Sequence, residues 1–195
     1  MLIRHPATAA AGTFCGHSDP DLSTNGEAQL IALERRLDSE RLDRLISSDL
    51  LRARRCAAAL ARKHRVSVEW QADLRELHFG AWEGLNWAQI ERLFPEQARR
   101  WIEEFPTFTP PGAEPYACFA ARIRGLATRL LAHTANTSLA LVSHRGVLQF
   151  LLQAYGGISA AEADVMTSRY ATVLFGVATP QGSVPLAIED LWYPD

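Results

Sequence analysis

Residues 139–147 read Leu139-Ala140-Leu141-Val142-Ser143-His144-Arg145-Gly146-Val147. The run up to Ser143 shows no polar alternation. A half-solvated strand alternates at period two, so an unbroken apolar run predicts a strand buried on both faces, at the centre of a parallel sheet. Val147 to Tyr155 reads as the helix that follows, and Gly156-Gly157 suits a left-handed helix end. The same rhythm extends upstream. Met1 to Arg4 reads as a short apolar strand, Leu45-Ile46 before Ser47-Ser48 as a second, and residues 66–70 as a third with period-two alternation. Between them Leu30, Leu33 and Leu37 recur at helical spacing over about residues 25–38. Thr24-Asn25-Gly26-Glu27 looks like its capping box, and residues 51–63 are a second helix rich in Ala, Leu and Arg. Downstream, residues 170–178 and 184–191 read as two strands around the turn Thr179-Pro180-Gln181-Gly182. Strand and helix alternate almost throughout, which predicts an α/β class: three layers, α/β/α, around a mostly parallel sheet.

Two stretches depart from that rhythm. Residues 5–22 are rich in Gly, Pro, Ala, Ser and Thr, a long loop of the kind that usually carries function. Residues 76–115 hold Phe79, Trp82, Trp87, Phe94, Trp101, Phe105 and Phe108 among short helices. They read as a small helical lid-like insertion, or as a satellite apolar cluster. A long helix follows over residues 117–132. Residues 1–195 are expected to form one domain, since a chain of 195 residues falls well short of two typical domains.

Composition narrows the function. Twenty basic against 22 acidic residues give a net charge of −2, which argues against nucleic acid or a membrane surface as partner. No apolar stretch is long enough to span a bilayer. Cys15, Cys56 and Cys118 are scattered and form no CxxC pair, so a disulfide scaffold is not expected and a reducing cytoplasm is the expected home. The single lysine, Lys63, rules out a P-loop, and the GxGxxG, HExxH and GxSxG signatures are absent.

What remains is positional. Ligands of doubly wound sheets bind beyond the carboxyl ends of the strands. Arg4-His5 follow the first strand and Ser47-Ser48, with Arg52 just beyond, the second. Glu76 and His78 follow the third, and Ser143-His144 the central one. Arginine forks match phosphate, and histidine can attack phosphorus. Any one of these at a strand end reads as structural; their joint occurrence reads as a site. A metal site from His5, His17, Glu76, His78 and His144 is the alternative, disfavoured because the adjacent arginines would repel a cation.

Five elements carry a family resemblance. Leu2-Ile3-Arg4-His5-Pro6-Ala7-Thr8 resembles the Arg-His-Gly-x-Thr signature of the histidine phosphatase (phosphoglycerate-mutase-like) superfamily. Phe14 to Ser23 with Gly26, Ile46 to Ala53, Leu74 to Gly84 and Val142 to Val147 are similar to its further elements, in order. The resemblance implies a phosphoric monoester hydrolase with no cofactor and no metal. His5 would be the nucleophile that becomes phosphohistidine and Glu76 the proton donor and then base. Arg4, Arg52 and a charged His144 would bind the phosphoryl oxygens. The short middle and Pro110-Pro111-Gly112-Ala113-Glu114 resemble the small phosphatase branch typified by α-ribazole phosphatase, which implies a small-molecule phosphate ester as partner. Mutase-type phosphoryl transfer and a non-catalytic phospho-ligand binder are the alternatives. The binder is motivated by two departures, Pro6 and Arg145, where the family pattern has glycine.

Overall fold

In the computed structural model, which describes residues 1–131, 136–179 and 185–194, the strands are β1 Leu2–Arg4, β2 Arg44–Ser47, β3 Val68–Trp70, β4 Leu139–Ser143, β5 Val173–Ala178 and β6 Leu186–Trp192. They form one sheet in the order β3-β2-β4-β1-β5-β6. The first four in that order are parallel; β5 runs antiparallel to β1, and β6 to β5. The helices are α1 Thr24–Arg36, α2 Leu51–His64, α3 Trp87–Leu93, α4 Pro95–Glu104, α5 Tyr116–Leu131, α6 Arg145–Gly156 and α7 Ala160–Thr167. The expected turn at residues 179–182 and the last residue of the expected helix 117–132 fall partly or wholly outside the described residues.

Adjacent residues in each inner strand enter opposite cores, which explains the lack of polar alternation. Leu2, Ile46, Leu141 and Leu174 pack with Phe119, Ile123, Leu148 and Leu152 on the α5–α6 side. Ile3, Leu45, Val142 and Val173 pack with Leu30, Leu33, Cys56 and Leu60 on the α1–α2 side. The three-layer α/β/α arrangement follows directly. Gly157, at φ 64°, closes α6 in the left-handed conformation expected there.

Three local readings are corrected. The cap of α1 is Ser23, not Thr24: the Ser23 amide donates to the Ala7 carbonyl (3.0 Å) and its hydroxyl accepts from the Gly26 amide (3.0 Å), while Glu27 pairs with Arg55 instead of closing the box. The third strand shortens to Val68–Trp70 because it is an exposed edge with a neighbour on one side only. Glu76 and His78 lie on irregular chain beyond a single 3₁₀ turn, Ala72–Leu74, and not directly at a strand end.

Residues 76–115 contain α3 and α4, with Trp82, Ile90, Ala98 and Phe108 buried in a third apolar cluster. Trp82 is fully buried, edge-on to Trp87 and Trp101, so these rings pack against one another. Phe14 joins this cluster, and backbone bonds between Phe14 and Gly84 and Leu85 tie the segment to the loop after β1. Cys15, Cys56 and Cys118 are free thiols. Among the described residues, no helix is long and apolar enough to cross a membrane.

Candidate active site

The strand order places the ends of β1, β4 and β2 side by side. The His5 amide donates to the Ser143 carbonyl (3.0 Å) and the Ser48 amide to the Val142 carbonyl (3.0 Å), extending the ladder one residue past each strand. This brings the His5 and His144 rings to 5.1 Å between centroids. Arg4, His5, Arg52, Glu76 and His144, all predicted from sequence, are buried here.

His5 Nδ1 lies 2.7 Å from the Pro6 carbonyl. A carbonyl only accepts, so Nδ1 carries the proton and Nε2 keeps its lone pair. Burial, reinforced by the Arg52 and Arg4 charges, holds the His5 pKa well below the ordinary value of 6.5. Pro6 therefore supplies the carbonyl that orients the ring; what it lacks is the amide a glycine would offer.

His144 is fixed in the opposite tautomer. Arg52 Nε donates to its Nδ1 (3.2 Å), so Nε2 is protonated and donates to Ser48 Oγ (2.8 Å). Burial and the neighbouring cations push its pKa well below 6.5 as well. Where the family resemblance implies a charged histidine, this arrangement holds the ring neutral: a protonated Nδ1 could not accept from Arg52 Nε, and burial beside Arg52 and Arg4 disfavours a further cation.

Arg52 also differs from expectation. Its Nη1 donates to the Ser18 carbonyl (2.9 Å) and its Nη2 to those of Cys15 (3.1 Å) and Gly16 (2.7 Å). Most of the fork expected to bind phosphate is thus taken up by the loop after β1 and by His144. Arg4 Nη1 donates to the carbonyls of Thr167 (2.8 Å) and Ser168 (2.6 Å), while its Nε is buried with no partner. Burial lowers the Arg4 pKa to about 10 without removing its charge near neutral pH. Glu76 approaches from the irregular segment, its carboxylate accepting from the amides of Leu77 (2.9 Å) and Gly146 (3.0 Å).

Sequence reasoning assigns no role to three further groups, of which Glu83 and Gly146 lie in stretches that carry the family resemblance and Tyr170 does not. Tyr170 stacks on the Arg4 guanidinium (3.9 Å) with its ring 5.7 Å from that of His5; no local pattern marks it, since the chain reversal before β5 brings it in. Glu83 accepts from the amides of Gly16, His17, Ser18 and Phe79 and from the Ser18 hydroxyl, anchoring the loop that clamps Arg52. Gly146 meets Glu76. Arg145, the other departure from the family pattern, turns toward α7 and pairs with Asp164 (2.6 Å). His17 and His78 contact each other edge-on (4.9 Å); among the described residues no three His, Cys, Asp or Glu side chains are grouped to hold a metal ion. A cavity of about 770 Å³ opens at the opposite end of the strands, among Leu2, Ile123, Leu126, Leu141 and Ile188, and contains none of the five candidate residues. Chemistry, not size, marks the site.

Paired histidines and arginines at adjacent strand ends of such a sheet, facing one carboxylate, define a phosphoryl-handling class. Residues 1–185 match the model of the histidine phosphatase superfamily (branch 1), and the chain belongs to that family. It is similar to adenosylcobalamin/alpha-ribazole phosphatase of Salmonella typhimurium, 30% identical over 153 residues covering 77% of this chain and 76% of the relative. It also resembles glucosyl-3-phosphoglycerate phosphatase of Mycobacterium tuberculosis, 33% identical over 163 residues covering 83% and 71%. The crystal structure of the alpha-ribazole phosphatase from Shigella flexneri shares the fold, with a TM-score of 0.86 at 24% identity over 97% of this chain and 94% of that one. The protein is a phosphatase of this family.

Proposed function

We propose that the protein hydrolyses small phosphate monoesters without a metal, through a phosphohistidine on His5. The observation that carries this reading is the Nδ1–H bond from His5 to the Pro6 carbonyl, which leaves the Nε2 lone pair free beside a buried arginine. Nε2 attacks phosphorus as the ester P–O bond breaks, and Glu76, which takes up a proton when the negatively charged phosphate binds beside it, gives that proton to the departing oxygen. Water then attacks the phosphorus, Glu76 takes the water's proton, and the P–N bond breaks to return His5 and inorganic phosphate. Arg4, with an unpartnered Nε, binds the equatorial oxygens; Arg52 contributes mainly as a fixed buried charge, and neutral His144 as a hydrogen-bonding wall. The same proposal takes the chain as one domain whose residues 76–115 surround the leaving group. An ester resembling α-ribazole phosphate fits the relatives' names.

The test uses an aryl and an alkyl phosphate in the presence of EDTA. Turnover should be unaffected by the chelator and absent in His5→Ala. In Glu76→Gln, alkyl esters should be cleaved about 10² to 10⁴-fold more slowly. The aryl ester, whose leaving group needs no proton, should still phosphorylate His5 and give an acid-labile adduct about 80 Da heavier in intact-mass spectra. A phospho-ligand binder would turn over nothing and form no adduct. An adduct elsewhere, or equal cleavage of both esters by Glu76→Gln, would sink the mechanism.

A further inference from the structure

Glu76 reaches the site from irregular chain, yet both of its carboxylate oxygens are held. Leu77 N–H binds Oε1 at 2.9 Å and Gly146 N–H binds Oε2 at 3.0 Å. Gly146 is the second residue of α6, where first-turn amides have no partner inside the helix and are free to hold an acceptor oxygen. A carboxylate can come this close only if residue 146 has no side chain. A Cβ built there would stand 2.4 Å from Glu76 Oε1 and 3.3 Å from its Cδ, and real Cβ atoms essentially never come within 3.0 Å of another group. The backbone gives no reason for glycine, since Gly146 is not among the glycines with positive φ. Inside a helix, glycine is less stable than alanine, so the position trades stability for room.

We infer that Gly146 is a positioning residue for the proton donor: its missing side chain seats the Glu76 carboxylate against the first turn of α6. That turn begins directly after His144, so a single stretch of chain places both the acid and the histidine beside the phosphoryl group. The inference rests on the reading of Glu76 as the proton donor. The obstructing atom is the end of a flexible side chain, so an added methyl displaces Glu76 and leaves the helix intact.

Gly146→Ala is compared with wild type and with Gly125→Ala, a change in α5 whose new Cβ would find its nearest neighbour, the Arg129 side chain, at an ordinary 3.7 Å. Both variants should melt no lower than wild type, because alanine is the better helix former. Gly146→Ala should lose about 10²-fold or more in kcat on an alkyl phosphate, while its first-turnover burst of nitrophenolate from an aryl phosphate stays within about 10-fold of wild type. Gly125→Ala should change neither. A crystal structure of Gly146→Ala should show the Glu76 carboxylate no longer bonded to the amide of residue 146. A wild-type ratio of alkyl to aryl cleavage, an equal loss on both esters, or a carboxylate still on that amide would overturn the role of Gly146. Wild-type protein that cleaves neither ester would instead sink the phosphatase reading itself.

Discussion

Arg52 shows how far a residue's neighbours can redirect it. It is 1% exposed, and its guanidinium holds three loop carbonyls and one imidazole nitrogen, leaving little of the fork for a substrate. Arg52→Ala therefore removes more than a phosphate contact. A buried carbonyl left unpaired costs about 1–3 kcal/mol; that of Gly16 is buried and those of Cys15 and Ser18 partly so, and urea unfolding should show a loss of at least about 2 kcal/mol. Loss of the buried charge should also lower kcat/KM by more than about 1 kcal/mol. A variant as stable as wild type would mean that the loop finds other donors. Arg52→Lys should not rescue it, because a single ammonium cannot span carbonyls that a planar fork reaches in two directions. The sequence marked Arg52 as part of the site through its place after Ser47-Ser48. Which groups take its N–H bonds depends on a loop some 35 residues upstream, and no local pattern encodes that.

Among the elements, the loop at residues 15–18 does the most to shape the site without chemistry of its own. Glu83 receives five hydrogen bonds from this loop and from Phe79, between 2.6 and 3.1 Å. Burial alone would raise its pKa, but the Ser18 hydroxyl and the amides of Phe79, His17 and Ser18 outweigh burial and hold it below the ordinary carboxyl value. Glu83→Gln would put an N–H where an acceptor stood, facing donors. Amide exchange at residues 16–18 should accelerate, and kcat/KM should fall about tenfold as the carbonyl clamp on Arg52 loosens, a loss of about 1.4 kcal/mol. Unchanged exchange at those amides would count against the anchor. The helices and inner strands are legible because their periodicity is local; the cap of α1 is not, because Ser23 is fixed by the Ala7 carbonyl from a different segment.

Across the whole molecule, two neutral buried histidines tie stability to pH. His5 and His144 both have pKa values well below 6.5, so below that pH the unfolded chain binds protons that the folded site refuses. Stability is then lost as pH falls through 6.5 toward the lowered folded values, by up to about 1.4 kcal/mol per pH unit for each histidine. Denaturant unfolding at pH 7.5 and 5.5 should show this slope, and His5→Ala should flatten it; an identical slope in the variant would mean that His5 titrates normally in the fold. The sequence by itself determined the α/β class and the three layers, and it pointed to Arg4, His5, Arg52, Glu76 and His144 as candidates that the fold then buries together. Each rests on side-chain periodicity or on position relative to a strand end, and neighbours in sequence carry both. Only the tertiary structure decided the charge state of His144, the loop-bound fork of Arg52, the packing of Trp82 into a core of its own and the approach of Tyr170 to Arg4. Those outcomes depend on desolvation and on hydrogen-bond partners far apart along the chain, which exist only once the strands are in register.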